Sequence, residues 1–170
     1  MKHFNWTRLL LVISLAAIFA TLAACGPSGK VESDKEKLVI KFYKEVVGGG
    51  YKVVSTDTLK GWVDAKKPML IIDTMPLEAS YNKNHIPGAK QFEFPIKPMA
   101  KMDDPAKAKF LELLGPDKDR LLVFYCGFPK CGRSHNGAAW AVKLGYGNVY
   151  RHPGGIMAWI EQGLPVGKAK

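Results

Sequence analysis

The chain is poor in cysteine, with only three in 170 residues, at positions 25, 126 and 131. No CxxC-like pair faces a second one and the four histidines are scattered, so the ligand spacing of a zinc site is missing. Acidic residues are also scarce, 15 Asp and Glu against 25 Lys and Arg, for a formal charge of +10. That surplus is spread along the chain without interleaved aromatics, which argues against a nucleic-acid partner. What is left is a solvated basic surface that can attract anionic headgroups or small anions. No apolar run is long enough to span a bilayer: Leu9 to Leu22 is fourteen residues, where about 20 are needed. The length excludes two ordinary domains, while 47% hydrophobic content suffices for one with a real core.

What the N-terminus does contain fits an export signal. Lys2 and Arg8 precede the apolar run, which ends in Leu22-Ala23-Ala24-Cys25. This tetrapeptide resembles the bacterial lipobox, which implies cleavage after residue 24, a lipid on Cys25, and a domain tethered to a membrane of the cell envelope. Losing residues 1–24 removes Lys2 and Arg8 and no acidic residue, leaving a charge of +8. Residues 25–32 then read as a flexible tether. Ser33-Asp-Lys-Glu36 has the capping-box pattern, and Leu38, Val39, Phe42 and Val46 follow at helical spacing before Gly48-Gly-Gly50. Residues 33–50 are expected to form an accessory helix on the outside of a domain spanning 51–170.

From Tyr51 onward, strand and helix patterns alternate. Strands are expected at 52–55, 69–73, 91–94, 121–125 and 148–151, and helices at 58–65, from Asp104-Pro105 to Gly115-Pro116, at 134–144 and at 156–162, with Asp104 as an N-cap. The alternation predicts an α/β fold with a mostly parallel five-stranded sheet and helices on both faces. Ligands in such folds sit beyond the carboxyl ends of the strands.

One stretch brings chemistry to that position: Leu121-Leu-Val-Phe-Tyr-Cys126-Gly-Phe-Pro-Lys-Cys131-Gly-Arg-Ser134. It ends the most hydrophobic strand on a thiol and leads through a glycine-rich basic loop into a helix. Amides near Gly127, Gly132 and Ser134, with Lys130 and Arg133, would stabilise a thiolate and attract small anions. Cys126 and Cys131, with four residues between them, could also cycle between dithiol and disulfide. Asp73 ends another strand, where it orients amides or a basic partner. His85, in His85-Ile-Pro-Gly-Ala89, reads as a hydrogen-bonding structural residue rather than a base. Tyr146, Trp140 and Trp159 read as core or rim.

Five segments in order carry a resemblance: Ile71-Ile-Asp73 with Glu78 and Tyr81; Asn84-His-Ile-Pro-Gly-Ala89; Val123-Phe-Tyr-Cys126 with Arg133-Ser134; Leu144-Gly-Tyr-Gly-Asn-Val149; and Gly154-Gly-Ile-Met-Ala-Trp159 with Gly163-Leu-Pro165. From about residue 52 to Val166 the chain resembles a single rhodanese domain, the family of persulfide-forming sulfurtransferases. The resemblance implies that Cys126 carries the persulfide, with Cys131 as an alternative nucleophile or a resolving thiol. Arg133 would assist catalysis, and Gly127, Lys130, Gly132 and Ser134 would line the substrate site. Donors would be small sulfur anions such as thiosulfate or polysulfide, and the acceptor a thiophile or an envelope redox protein. No cofactor and no metal is called for. The chain departs from the family pattern in three places. Met75 stands where an arginine usually follows the strand-end Asp, Asn84 replaces a glycine, and six residues rather than four separate Cys126 from Arg133. The longer loop leaves two other readings open: an oxyanion phosphatase or arsenate-reductase type of site, and a non-catalytic or dithiol-redox module serving an envelope partner.

Overall fold

The computed structural model describes residues 29–169; the expected signal segment 1–24 and Cys25 lie outside the described residues. Two compact units meet in sequence at Lys37 and Leu38. Helix α1 is Gly29–Gly49, so it begins inside the stretch expected to be a tether, and Ser33 is an internal residue rather than its cap. Ion pairs at i,i+3 spacing, Lys35 with Glu32 and Lys37 with Asp34, line the early turns instead.

The remaining elements follow as β1 (Lys52–Val53), α2 (Thr56–Asp64), β2 (Leu70–Asp73), a π-helical turn (Leu77–Tyr81) and β3 (Lys90–Gln91). Then come α3 (Asp104–Leu114), β4 (Leu122–Tyr125), α4 (Arg133–Lys143), β5 (Val149–His152) and α5 (Gly155–Glu161). Local chemistry explains the boundaries. Ser55 caps α2 by accepting from the Thr58 amide at 3.1 Å. The cap of α3 is Asp103, one residue before the expected Asp104; its carboxylate accepts from the Ala106 amide at 2.7 Å, and Pro105 sits in the first turn.

All five strands are parallel, in the order β1-β5-β4-β2-β3. Alternation in the strands divides the core. Leu70, Ile72, Leu122, Phe124 and Val149 face one side with Phe110, Leu114, Ala138 and Ala141. Ile71, Val123 and Tyr125 face the other with Leu59, Ile156 and Trp159. A parallel sheet covered on both faces requires unbroken apolar strands, and β4 meets this with four fully buried residues. Asp73, Tyr125 and His152 are in register across β2, β4 and β5, so the carboxyl ends of three central strands share one level. Cys126 begins the loop there.

Candidate active site

The loop from Cys126 to Gly132 is fixed from two sides. On one, the first amides of α5 hold it: Ile156 N–H donates to the Cys126 carbonyl at 2.9 Å and Met157 N–H to that of Gly127 at 3.1 Å. This close approach explains Gly155, whose φ is +63° and where a Cβ would lie 2.2 Å from the Cys126 oxygen. On the other side, Gly132 packs so tightly on the Ile96 carbonyl that a Cβ would come within 2.4 Å of it. Asn136 fixes that neighbouring segment by donating to the carbonyls of Pro95 and Lys97, both at 2.8 Å, and accepting from the Met99 amide.

Both thiols are free, and both are buried, Cys126 at 1% exposure and Cys131 at 8%. Their surroundings differ in sign. The Cys126 sulfur faces acceptors, the carbonyls of Cys131 at 3.4 Å and Phe128 at 3.8 Å, and it pairs with the Ser134 hydroxyl at 3.1 Å. Its interaction with Cys131 and its burial push the Cys126 thiol well above the ordinary range, against the donors of Ser134. Cys131 collects the opposite set. The Cys126 thiol, the Arg133 and Gly127 amides and the charge of Arg133 all favour its thiolate, so that despite burial it is held below the ordinary thiol range. The amides expected to serve Cys126 are thus divided: that of Ser134 favours the Cys126 thiolate, and those of Gly127 and Arg133 favour that of Cys131. The physical reason is that the extra loop residues carry Cys131 to the start of α4, while the loop carbonyls of Phe128 and Cys131 face Cys126.

The other expected residues divide. Gly127, Gly132 and Ser134 are buried in the loop and its helix start. Arg133 does not reach over the loop: its guanidinium is bound to the Phe94 carbonyl and pairs with Glu93 at 3.0 Å. Lys130 is exposed at the loop's tip, and its carbonyl accepts from Lys41 of α1 at 3.3 Å. Asp73 is buried and takes the Met75 amide at 2.8 Å, while its second oxygen has no hydrogen-bond partner among the described residues. Burial raises its carboxyl, in part offset by the nearby Tyr125 hydroxyl and the Met75 amide. Met75 in turn lies beside Gly127, giving the loop an apolar wall where the family pattern has a basic group. His85 donates from Nδ1 to the Tyr81 carbonyl at 2.9 Å and stacks on the Tyr81 ring, and its backbone bridges to Gly167. It shows no bond to the thiol loop.

A residue that sequence reasoning missed organises the underside of the loop. Arg151, fully buried on β5, donates from Nε to Ser134 Oγ at 2.9 Å and from Nη2 to the Cys131 carbonyl at 2.9 Å. Its Nη1 pairs with Glu45 of α1 at 2.6 Å and donates to the Tyr51 hydroxyl at 3.2 Å. The Tyr51 hydroxyl also meets Nδ1 of His135 at 2.9 Å, and the Phe42 ring lies 4.9 Å from the guanidinium. Burial works to lower Arg151 and to raise Glu45, but their mutual bond reverses both, so the pair stays charged. The available signal was an arginine within an expected strand, two residues from the apolar Val149 and so on the same face. Helix α1, expected as an external cover, thus supplies Glu45, Phe42 and Lys41 to the loop's support.

A family model described as "Rhodanese-like domain" matches residues 55–162. Among curated relatives, a sulfurtransferase of Allochromatium vinosum is 43% identical over 49 residues, 29% of this chain and 44% of that protein. A tRNA uridine(34) hydroxylase of Erwinia tasmaniensis is 41% identical over 61 residues, 33% of this chain and 17% of that one, so the matches span less than half of either relative. Among solved structures, a polysulfide-sulfur transferase homodimer of Wolinella succinogenes superposes with a TM-score of 0.55 at 16% identity, covering 78% of this chain and 91% of that one. A thiosulfate sulfurtransferase of Pseudomonas aeruginosa gives 0.58 at 16% identity, covering 76% and 23%. At such identities these two likenesses show the fold.

Proposed function

This chain belongs to the rhodanese-like domain family, and we propose that it is a sulfurtransferase that moves sulfane sulfur from a small anionic donor to a thiophilic acceptor through a persulfide on Cys131. The observation that carries this reading is a pair of free thiols in the loop between β4 and α4, with the Gly127 and Arg133 amides and the Cys126 thiol favouring the Cys131 thiolate. A thiol held below its ordinary range has a larger thiolate fraction at neutral pH, and the thiolate is the form that attacks sulfur. With thiosulfate as donor, the Cys131 thiolate forms a bond to the outer sulfur, the S–S bond of thiosulfate breaks, and sulfite leaves with its electron pair. The loop amides stay aimed at the charge as it passes to the outer sulfur of the persulfide. Cyanide, sulfite or an acceptor thiol then takes that sulfur and restores the thiolate.

The position of Arg133 weighs against the phosphatase type of site, because its guanidinium is occupied by Glu93 and Phe94 rather than held over the loop. The assay that separates these chemistries supplies thiosulfate with excess cyanide. Thiocyanate should form with ping-pong kinetics, seen as parallel double-reciprocal lines. Hydrolysis of an aryl phosphate, with no thiocyanate from thiosulfate or polysulfide, would sink the proposal.

The Leu22-Ala23-Ala24-Cys25 segment supports a location in the cell envelope with a lipid on Cys25. A fatty-acid probe should label the full chain in a bacterial host and leave Cys25→Ser unlabelled; labelling of neither protein would contradict it.

A further inference from the structure

The geometry points to a second activity at the same loop, resting on the reading of Cys131 as the persulfide carrier. We infer that Cys126 is a built-in resolving thiol that reduces the bound sulfur to sulfide, making the protein a sulfane-sulfur reductase when no external acceptor intervenes. Three observations carry this. First, Cys126 is 1% exposed, so donors and acceptors from solution do not reach its sulfur, while the Cys131 carbonyl lies 3.4 Å away and the Cys131 thiol is near enough to perturb it. Second, both sulfurs are free thiols separated by four residues, a loop long enough to close a disulfide.

The third observation is a hydrogen-bond relay aimed at Cys126 from below. Ser134 Oγ accepts Nε–H of Arg151 at 2.9 Å, which leaves the serine's own hydrogen free to point at the Cys126 sulfur 3.1 Å away. The guanidinium behind it is fully buried and held by Glu45, so the relay keeps its polarity. A hydroxyl polarised by a buried cation and directed at a sulfur stabilises negative charge there. Such a relay serves no purpose for a thiol that only fills space, and it suits one that must become a nucleophile at one step of a cycle.

The cycle balances as follows. While Cys131 is a thiolate, the Cys126 proton is engaged in stabilising it. Once Cys131 is a persulfide, the negative charge resides on the outer sulfur, one bond further from Cys126. The Cys126 sulfur then forms a bond to the Cys131 sulfur, the bond from Cys131 to the outer sulfur breaks, and the outer sulfur leaves with the electron pair and the Cys126 proton as HS⁻. The two cysteine sulfurs are oxidised to a disulfide and the sulfane sulfur is reduced to sulfide. An external dithiol returns the pair to the starting state by exchange, becoming a disulfide itself.

The test is a single turnover without reductant or cyanide. The reduced full-length chain is given thiosulfate, sulfide is trapped as its bimane adduct, and the protein is weighed intact and after digestion. The wild type is expected to release about one sulfide per chain and to finish 2 Da lighter, with Cys126 and Cys131 joined. Cys126→Ser is expected to keep +32 Da on Cys131 and release no sulfide. Ser134→Ala is expected to gain +32 Da but release sulfide at least tenfold more slowly, which identifies Ser134 as a positioning residue. If the wild type keeps +32 Da and releases no sulfide, the resolving role is overturned while the persulfide reading stands. Equal sulfide release by Cys126→Ser also overturns it. If neither protein gains sulfur, the sulfurtransferase reading fails and this inference with it.

Discussion

Replacing Cys131 by serine is expected to lower thiocyanate formation from thiosulfate and cyanide by on the order of a thousandfold or more, because the group that forms the covalent intermediate is gone. Serine keeps the size of the side chain and can still accept from the Gly127 and Arg133 amides, so loop geometry is preserved and the loss reports on the nucleophile itself. The same substitution at position 126 has a different signature. Cys126 faces carbonyls and the Ser134 hydroxyl, out of reach of thiosulfate, so Cys126→Ser should still form a persulfide on Cys131. Loss of persulfide formation in Cys126→Ser, with Cys131→Ser still active, would reverse the assignment.

The second large effect is on stability. Glu45→Ala removes the carboxylate that faces a fully buried guanidinium. Breaking a buried pair by deleting one partner costs about 3–5 kcal/mol, since the other charge stays desolvated and unpaired. The Glu45 side chain is 14% exposed, so water can enter in its place, and the lower figure of about 3 kcal/mol is the expected one. For a chain of this size that is a fall of about 6–12 °C in Tm. Glu45→Gln, which keeps an acceptor for Arg151, should lose less. Replacing both partners by methionine should recover part of the loss, because no charge is then stranded. A Tm for Glu45→Ala within a degree of wild type would mean the pair does not support the loop.

The scaffold was legible in the chain because its signals are local and strong. Runs of buried apolar residues, three in β2 and four in β4, can be accommodated only by a sheet covered on both sides, and the fold has that sheet. The misread boundaries were those with competing local signals. Asp103 and Asp104 both offer a capping carboxylate, and the register of the helix on the core selects the first. Lys30, Val31 and Glu32 before Ser33 include no helix breaker, so α1 extends back to Gly29.

The roles of the two thiols were not legible, because they depend on which way peptide groups turn in a short loop. That is decided at long range. The Cys126 and Gly127 carbonyls are held by α5, about 30 residues further on, and the Cys131 carbonyl by Arg151 on β5. Chain order put Cys126 directly after the strand, as in the family pattern, and gave no sign that the Gly127 and Arg133 amides would favour the Cys131 thiolate. The part Arg133 plays was legible only in outline: its amide and charge favour the Cys131 thiolate as its place beside the loop suggested, but its guanidinium is bound to Glu93 and the Phe94 carbonyl.

The central claim is that Cys131, and not Cys126, is the thiolate of this loop. Tryptic cleavage after Arg120, Lys130 and Arg133 places the two sulfurs in separate peptides, residues 121–130 and 131–133. The reduced protein should be exposed to substoichiometric iodoacetamide across a range of pH and the label in each peptide measured. Peptide 131–133 is expected to be labelled first, with a rate that rises through a midpoint well below the ordinary thiol value. Earlier labelling of 121–130, or a midpoint for 131–133 near the ordinary thiol value of about 8.5, would contradict it.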